Sequence, residues 1–204
     1  DFDEDGAPDL VVGYASAGAG VVSLLRGNVD AIYPYSPEAQ ARRVAGRFTN
    51  TLFLSPALVY PVPQSPDFIG AGDFDGDGHC DVVAAARGDN IFILLSGDGR
   101  GELHLADDIE LPGAVTALAV GEINLRDGLD DIVVATDAGE GGLALVYQSR
   151  QGALRAQPDV FRFPAKVSAL ALGDLDDDPP SDLAVAAGEG LFIVQGRNQN
   201  SSQG

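Results

Sequence analysis

The residues that could do chemistry in this chain are acids at fixed odd spacing. In the stretch GDFDGDGHCD, Gly72 to Asp81, carboxylates stand at Asp73, Asp75, Asp77 and Asp81. At ~4 Å and an effective dielectric of ~20, two like charges repel by roughly 4 kcal/mol. Solvent around an extended turn can relieve such crowding, and so can a cation held in the middle of it. The pattern recurs. Counting the first acid as position one, acids occupy positions one, three, five and nine as Asp1, Asp3, Asp5 and Asp9, again in the stretch just quoted, and again as Asp174, Asp176, Asp178 and Asp182.

Hard divalent cations, Ca²⁺ above all, take six to eight oxygen ligands in flexible geometry. Alternate residues of a tight turn can all point inward, which accounts for the odd spacing. Gly6 and Gly78 stand where the bend calls for positive φ. The main-chain carbonyl at position seven (Ala7, His79, Pro180) can add a ligand, and the acid at position nine would clamp the turn to the next strand. Helix-loop-helix calcium sites need Glu at position twelve, whereas Val12, Ala84 and Val185 stand there, so that class is excluded. A further copy begins at Glu122. With a one-residue bulge Glu122, Asn124, Asp127 and Asp131 form a degenerate fourth site; alternatively Arg126 replaces the ion with its own charge. The plainer reading of any single loop is an Asp-Gly turn whose acids are solvated.

These loops must be positioned by the elements around them. Each is followed by an apolar run (LVVGYA, VVAAA, IVVAT, LAVAA), a Gly-rich turn and a second apolar run (VVSLLRG, IFILLSG, LALVYQS, LFIVQG). Segments such as FIGAGDF, VTALAVGEI and VSALALGDL lead into the next loop. Runs of five to eight β-branched and aliphatic residues bounded by Gly, Asp and Pro read as strands. The repeats start near residues 1, 73, 122 and 174, a period of about 50 with about 22 extra residues in the first interval. A unit of that length with four antiparallel strands is a propeller blade. The expected fold is therefore all-β. It comprises about four blades, two complete and two partial, with the acidic loop joining the first strand to the second. Residues 1–204 read as one segment of a longer propeller.

GDFDGDGHCDVVAAARGDNIFILLSGDGRGEL is similar to the FG-GAP and VCBS repeats of integrin alpha-subunit propellers and of many secreted or surface proteins. FIGAGDF resembles the segment that gives FG-GAP its name, with its signatures incomplete. The resemblance covers all four units, nearly the whole chain outside the insertion. It implies a seven- or eight-bladed extracellular propeller carrying calcium in its blade hairpins, a binding or adhesion scaffold for a protein or glycan ligand at the cell surface.

Composition narrows the alternatives. Twelve Lys and Arg against 31 Asp and Glu give a formal net charge of -19, which disfavours nucleic acid and anionic membrane surfaces. No apolar run is long enough to span a bilayer, so direct membrane insertion is not expected. The single cysteine, Cys80, excludes an internal disulfide framework. His79 lies in an acidic loop and His104 near a strand, both readable as plain surface residues. No nucleophile motif, phosphate-binding loop or zinc spacing stands out, so a non-catalytic scaffold is the first expectation. A propeller enzyme or carbohydrate-binding module acting on polysaccharides is the second, and a purely structural spacer the third. Two local features stay open. Arg87-Gly88-Asp89 falls at a hairpin tip, as an ordinary turn or a recognition tripeptide. The insertion, about residues 28–50, carries a capped helix (Ser36, Pro37) and Arg42, Arg43 and Arg47 near Tyr33 and Tyr35, either packed over a blade edge or forming a contact surface.

Overall fold

The computed structural model describes residues 1–16, 18–123, 128–137, 139–175 and 181–196. Its strands are β1 (Leu10–Ser16), β2 (Ala19–Leu25), β3 (Leu58–Val62), β4 (Phe68–Gly72), β5 (Asp81–Ala85), β6 (Ile91–Gly97), β7 (Leu103–Glu110), β8 (Ala114–Gly121), β9 (Asp131–Asp137), β10 (Gly142–Tyr147), β11 (Asp159–Phe163), β12 (Val167–Gly173), β13 (Asp182–Ala187) and β14 (Gly190–Val194). They form four antiparallel sheets, β1-β2-β3, β4-β5-β6-β7, β8-β9-β10-β11 and β12-β13-β14. Two sheets have four strands and the flanking two have three, as the repeat register requires. The chain is an all-β partial propeller, and the acidic loop precedes β1, β5, β9 and β13 in its four blades.

The apolar runs are continuous because the middle strands are buried on both faces. On β5, Val82 and Ala84 pack toward the first blade while Val83 and Ala85 pack toward the third. On β9, Ile132 and Val134 face the second blade while Val133 and Ala135 face the fourth. The period of two thus feeds a separate core at each of the three seams between neighbouring blades. Edge-to-face ring pairs cross two of the seams, Phe92 with Tyr147 and Phe163 with Phe192, each at 5.5 Å between centroids.

The first strands of successive blades lie side by side, β4 against β8 and β8 against β12. Their small residues permit the approach: a Cβ on Gly70 would come within 2.3 Å of the Val120 side chain.

The insertion joins β2 to β3 and holds α1 (Val29–Ile32) and α2 (Pro37–Val44). Ser36 caps α2 by accepting from the Ala39 amide, with Pro37 in the first turn, as the sequence suggests. Asn28 caps α1 and donates to Thr49 and to the Thr51 carbonyl. Arg42 Nε donates to Asp30 at 2.7 Å, and the Arg43 guanidinium lies 4.0 Å from the centre of the Phe48 ring. Two of the three arginines therefore tie the insertion to itself. Among the described residues, no helix is long and apolar enough to cross a membrane.

Candidate metal centre

The first two acidic loops are shaped by carboxylates accepting from main-chain amides a few residues ahead. Asp1 accepts from Asp5 and Gly6, and Asp5 from Ala7. In the second loop Asp73 accepts from Gly76 and Gly78, Asp75 from Asp77, and Asp77 from His79. Gly6 and Gly78 do adopt positive φ, +86° and +90°. These bonds curl both segments so that acidic oxygens converge. Ligand atoms of Asp1, Asp3 and Asp5 lie within 4.8 Å of one another, and so do those of Asp73, Asp75 and Asp81. The two groups differ in membership, since Asp9 and Asp77 stand outside them. Ala7 and His79 could contribute only main-chain oxygens to an ion there.

Asp3 is the residue most in need of a cation. Its side chain is 13% exposed, and its Oδ1 is buried with no hydrogen-bond partner. Burial, then the charges of Asp5 and Asp9, push its carboxyl above the ordinary range, and the Asp5 amide and the Arg26 guanidinium 4.0 Å away offset this only in part. The equivalent place in the second blade belongs to Ser96, whose hydroxyl donates to Asp75 at 3.0 Å. An orphaned buried carboxylate oxygen beside two convergent acids is a donor set that suits a hard cation.

The acid at position nine has a further role that its spacing did not disclose. One oxygen of Asp9, Asp81, Asp131 and Asp182 accepts from the amide of the residue at position two: Phe2, Phe74, Ile123 and Leu175 respectively. In three of them the other oxygen accepts from a glycine after the next strand pair: Gly27 at 2.6 Å, Gly97 at 2.9 Å and Gly196 at 3.0 Å. The clamp expected from metal coordination is thus already made by two amide bonds, although a carboxylate has lone pairs left for an ion. Glycine is needed at the far end because a Cβ on Gly97 would meet the Cys80 carbonyl at 2.2 Å, and one on Gly27 the Pro8 carbonyl at 2.5 Å. Burial, opposed by the Gly97 and Phe74 amides and helped by the Asp75 and Asp77 charges, raises Asp81 to about 6.

Three of the four position-two side chains point the other way, into the seams, while Leu175 is exposed. Phe2 is buried between the first and second blades, Phe74 between the second and third, and Ile123 between the third and fourth. The first two loops also seat on the outer turn of the following blade. The Gly101 amide donates to the Phe2 carbonyl, and His79 Nδ1 meets Glu4 Oε1 at 2.7 Å against Gly99. In the next seam Gly152 abuts the Asp75 main chain.

Glu122 accepts from the Gly128 amide at 2.9 Å, and Asp174 is exposed. Asn124, Arg126 and Asp127 of the third loop, and Asp176, Asp178 and Pro180 of the fourth, lie outside the described residues. A carboxylate not anticipated from the repeats, Asp130, is half-buried across a seam and accepts from the Asp73 amide. Burial raises its pKa, with the Glu122 and Asp73 charges adding to the effect. The doubled acid Asp130-Asp131 was its sequence signal. At the opposite end of the blade, Arg87 of the Arg-Gly-Asp turn is turned to its own protein. It donates to the Thr116 carbonyl at 2.6 Å and lies over the Phe68 ring. The Gly88 amide donates to Val115. This turn links two blades, and Arg87 and Gly88 remain exposed at its tip.

Antiparallel blades, seam cores and carboxylate loops at successive seams define a β-propeller segment. No family model matches the chain, and no curated protein matches it. A similar solved structure is "Crystal structure of BBS1N in complex with ARL6DN, soaked with lead": TM-score 0.59, 14% identity, covering 96% of this chain and 55% of that one. The mercury-soaked form of the same complex gives a TM-score of 0.40 at 15% identity, covering 91% of this chain and 63% of that one. The chain spans about half the length of the first of these. At such identity the likeness is one of fold.

Proposed function

We propose that this chain is part of a calcium-stabilised, non-catalytic propeller that presents a surface to a partner protein. The buried, unpartnered Oδ1 of Asp3 among convergent acids carries the calcium half of this reading. Asp1, Asp3 and Asp5 would hold one ion, and Asp73, Asp75 and Asp81 another. The ion supplies positive charge where the folded chain crowds carboxylates, and it draws each loop onto the seam its position-two side chain already fills. The partly exposed acid sets fit the weak affinities of extracellular calcium modules. An extracellular or cell-surface location and kinship with FG-GAP or VCBS repeats belong to the same reading. The partner half is supported by the fold shared with a propeller solved in complex with another protein.

Chelation followed by calcium titration tests the metal. Calcium at a hundredfold excess over Kd should raise Tm by about 5–10 °C for a chain of this size, and Asp3→Asn together with Asp75→Asn should abolish most of that rise. A midpoint indifferent to calcium overturns the reading. Glycan arrays and polysaccharide lyase assays on the calcium-loaded protein test the scaffold role; turnover or glycan selectivity would replace it with the enzyme or carbohydrate-binding alternative.

A further inference from the structure

The turn between β6 and β7 gathers a second donor set whose chemistry differs from that of the acidic loops. Ligand atoms of Asp98, Glu102 and His104 lie within 4.8 Å of one another. Glu102 just before β7 and His104 within it are two apart along extended chain, so they project to the same side, and Asp98 reaches them across the turn. Asp98 Oδ1 accepts from the Arg100 and Glu102 amides, which fixes the carboxylate. Those bonds, with the nearby His104, hold its pKa below the ordinary carboxylate range. Neither the His104 ring nor the Glu102 carboxylate is hydrogen-bonded among the described residues. The set is no part of the repeat: the equivalent turn of the third blade reads Ser149-Arg150-Gln151-Gly152.

We propose that Asp98, Glu102 and His104 form a surface site for a divalent transition ion of the zinc type, separate from the calcium loops. Imidazole is a good ligand for zinc, copper and nickel but a poor one for calcium, which takes oxygen. Tetrahedral ligation at 2.0–2.2 Å requires donor atoms about 3.3 Å apart, which rotation of the two exposed side chains provides. Three protein ligands leave at least one position open to water or to a ligand from a partner molecule. Glu4 occupies Nδ1 of the chain's other histidine, His79, which lies against Gly99 of the same turn, so that ring borders the site without being needed for it.

The test is titration of the calcium-loaded full chain with Co²⁺, read by its visible absorption, and competition by Zn²⁺. One ion per chain should bind, unaffected by millimolar calcium. His104→Ala and Glu102→Gln should each weaken binding at least about tenfold, because loss of a direct ligand costs no less than loss of a second-sphere partner. Their calcium-dependent melting should be unchanged, and His79→Ala should retain the cobalt band. Displacement of cobalt by calcium, binding that survives His104→Ala, or no binding at neutral pH would overturn the proposal.

Discussion

At the scale of single residues, the position-nine carboxylate organises each blade. Asp81 is fully buried and accepts from two amides, Phe74 in the loop and Gly97 at the end of β6. Removing it takes that acceptor from both. Each buried unpaired amide costs about 1–3 kcal/mol, so Asp81→Ala should lower calcium-free stability by at least about 2 kcal/mol in urea unfolding, whereas Asp77→Asn, at an exposed acid, should leave it nearly unchanged. The same residue gives a pH signature. Its folded pKa, about 6, exceeds the unfolded 3.8, so the folded state holds the extra proton between those values. Apo stability from this group therefore falls as pH rises from about 4 to about 6. Calcium favours the carboxylate and should flatten or reverse that slope. Melting curves between pH 4.5 and 7, with and without calcium and with Asp81→Asn, check the sign.

At the scale of elements, loop and turn are matched across the first two seams. Gly152, at φ +109°, leaves no room for a side chain: its Cβ would lie 2.5 Å from the Asp75 main-chain carbon. Substituting Gly152→Ala combines that overlap with a strained backbone, and a loss of about 1–3 kcal/mol is expected. Because the disturbed atoms belong to the second acidic loop, calcium affinity should fall there and not at Asp1, Asp3 and Asp5. Two-site calorimetric titration distinguishes these outcomes. The insertion illustrates the converse economy of contact. Its helix was legible from Ser36 and Pro37, because capping is local. The pairing of Arg42 with Asp30 needed the fold, since twelve residues separate them along the chain.

At the scale of the whole molecule, blades depend on their neighbours because each middle strand buries both faces. Among the described residues no blade has a core of its own; the three cores lie between sheets. The formal charge of -19 adds self-repulsion that a bound divalent ion reduces at the seams themselves. Calcium removal should therefore loosen the contacts between blades before the hairpins within them. Hydrogen exchange should show early loss of protection at Phe74, Gly101 and Ile123 while β5 and β9 stay protected.

The repeats, the strand pattern and the acid spacing were readable in the chain alone, because each is set by residues within one blade length and by a side-chain period of two. What waited for the tertiary structure was who meets whom. Asp9 binds an amide 18 residues away, Asp130 reaches Asp73 from another blade, Arg87 bonds Thr116 of the next blade, and His104 joins Asp98 and Glu102 only once the hairpin closes. Local spacing can bring carboxylates to one turn, but the partner of a buried charge is chosen by the packing that excludes water from it.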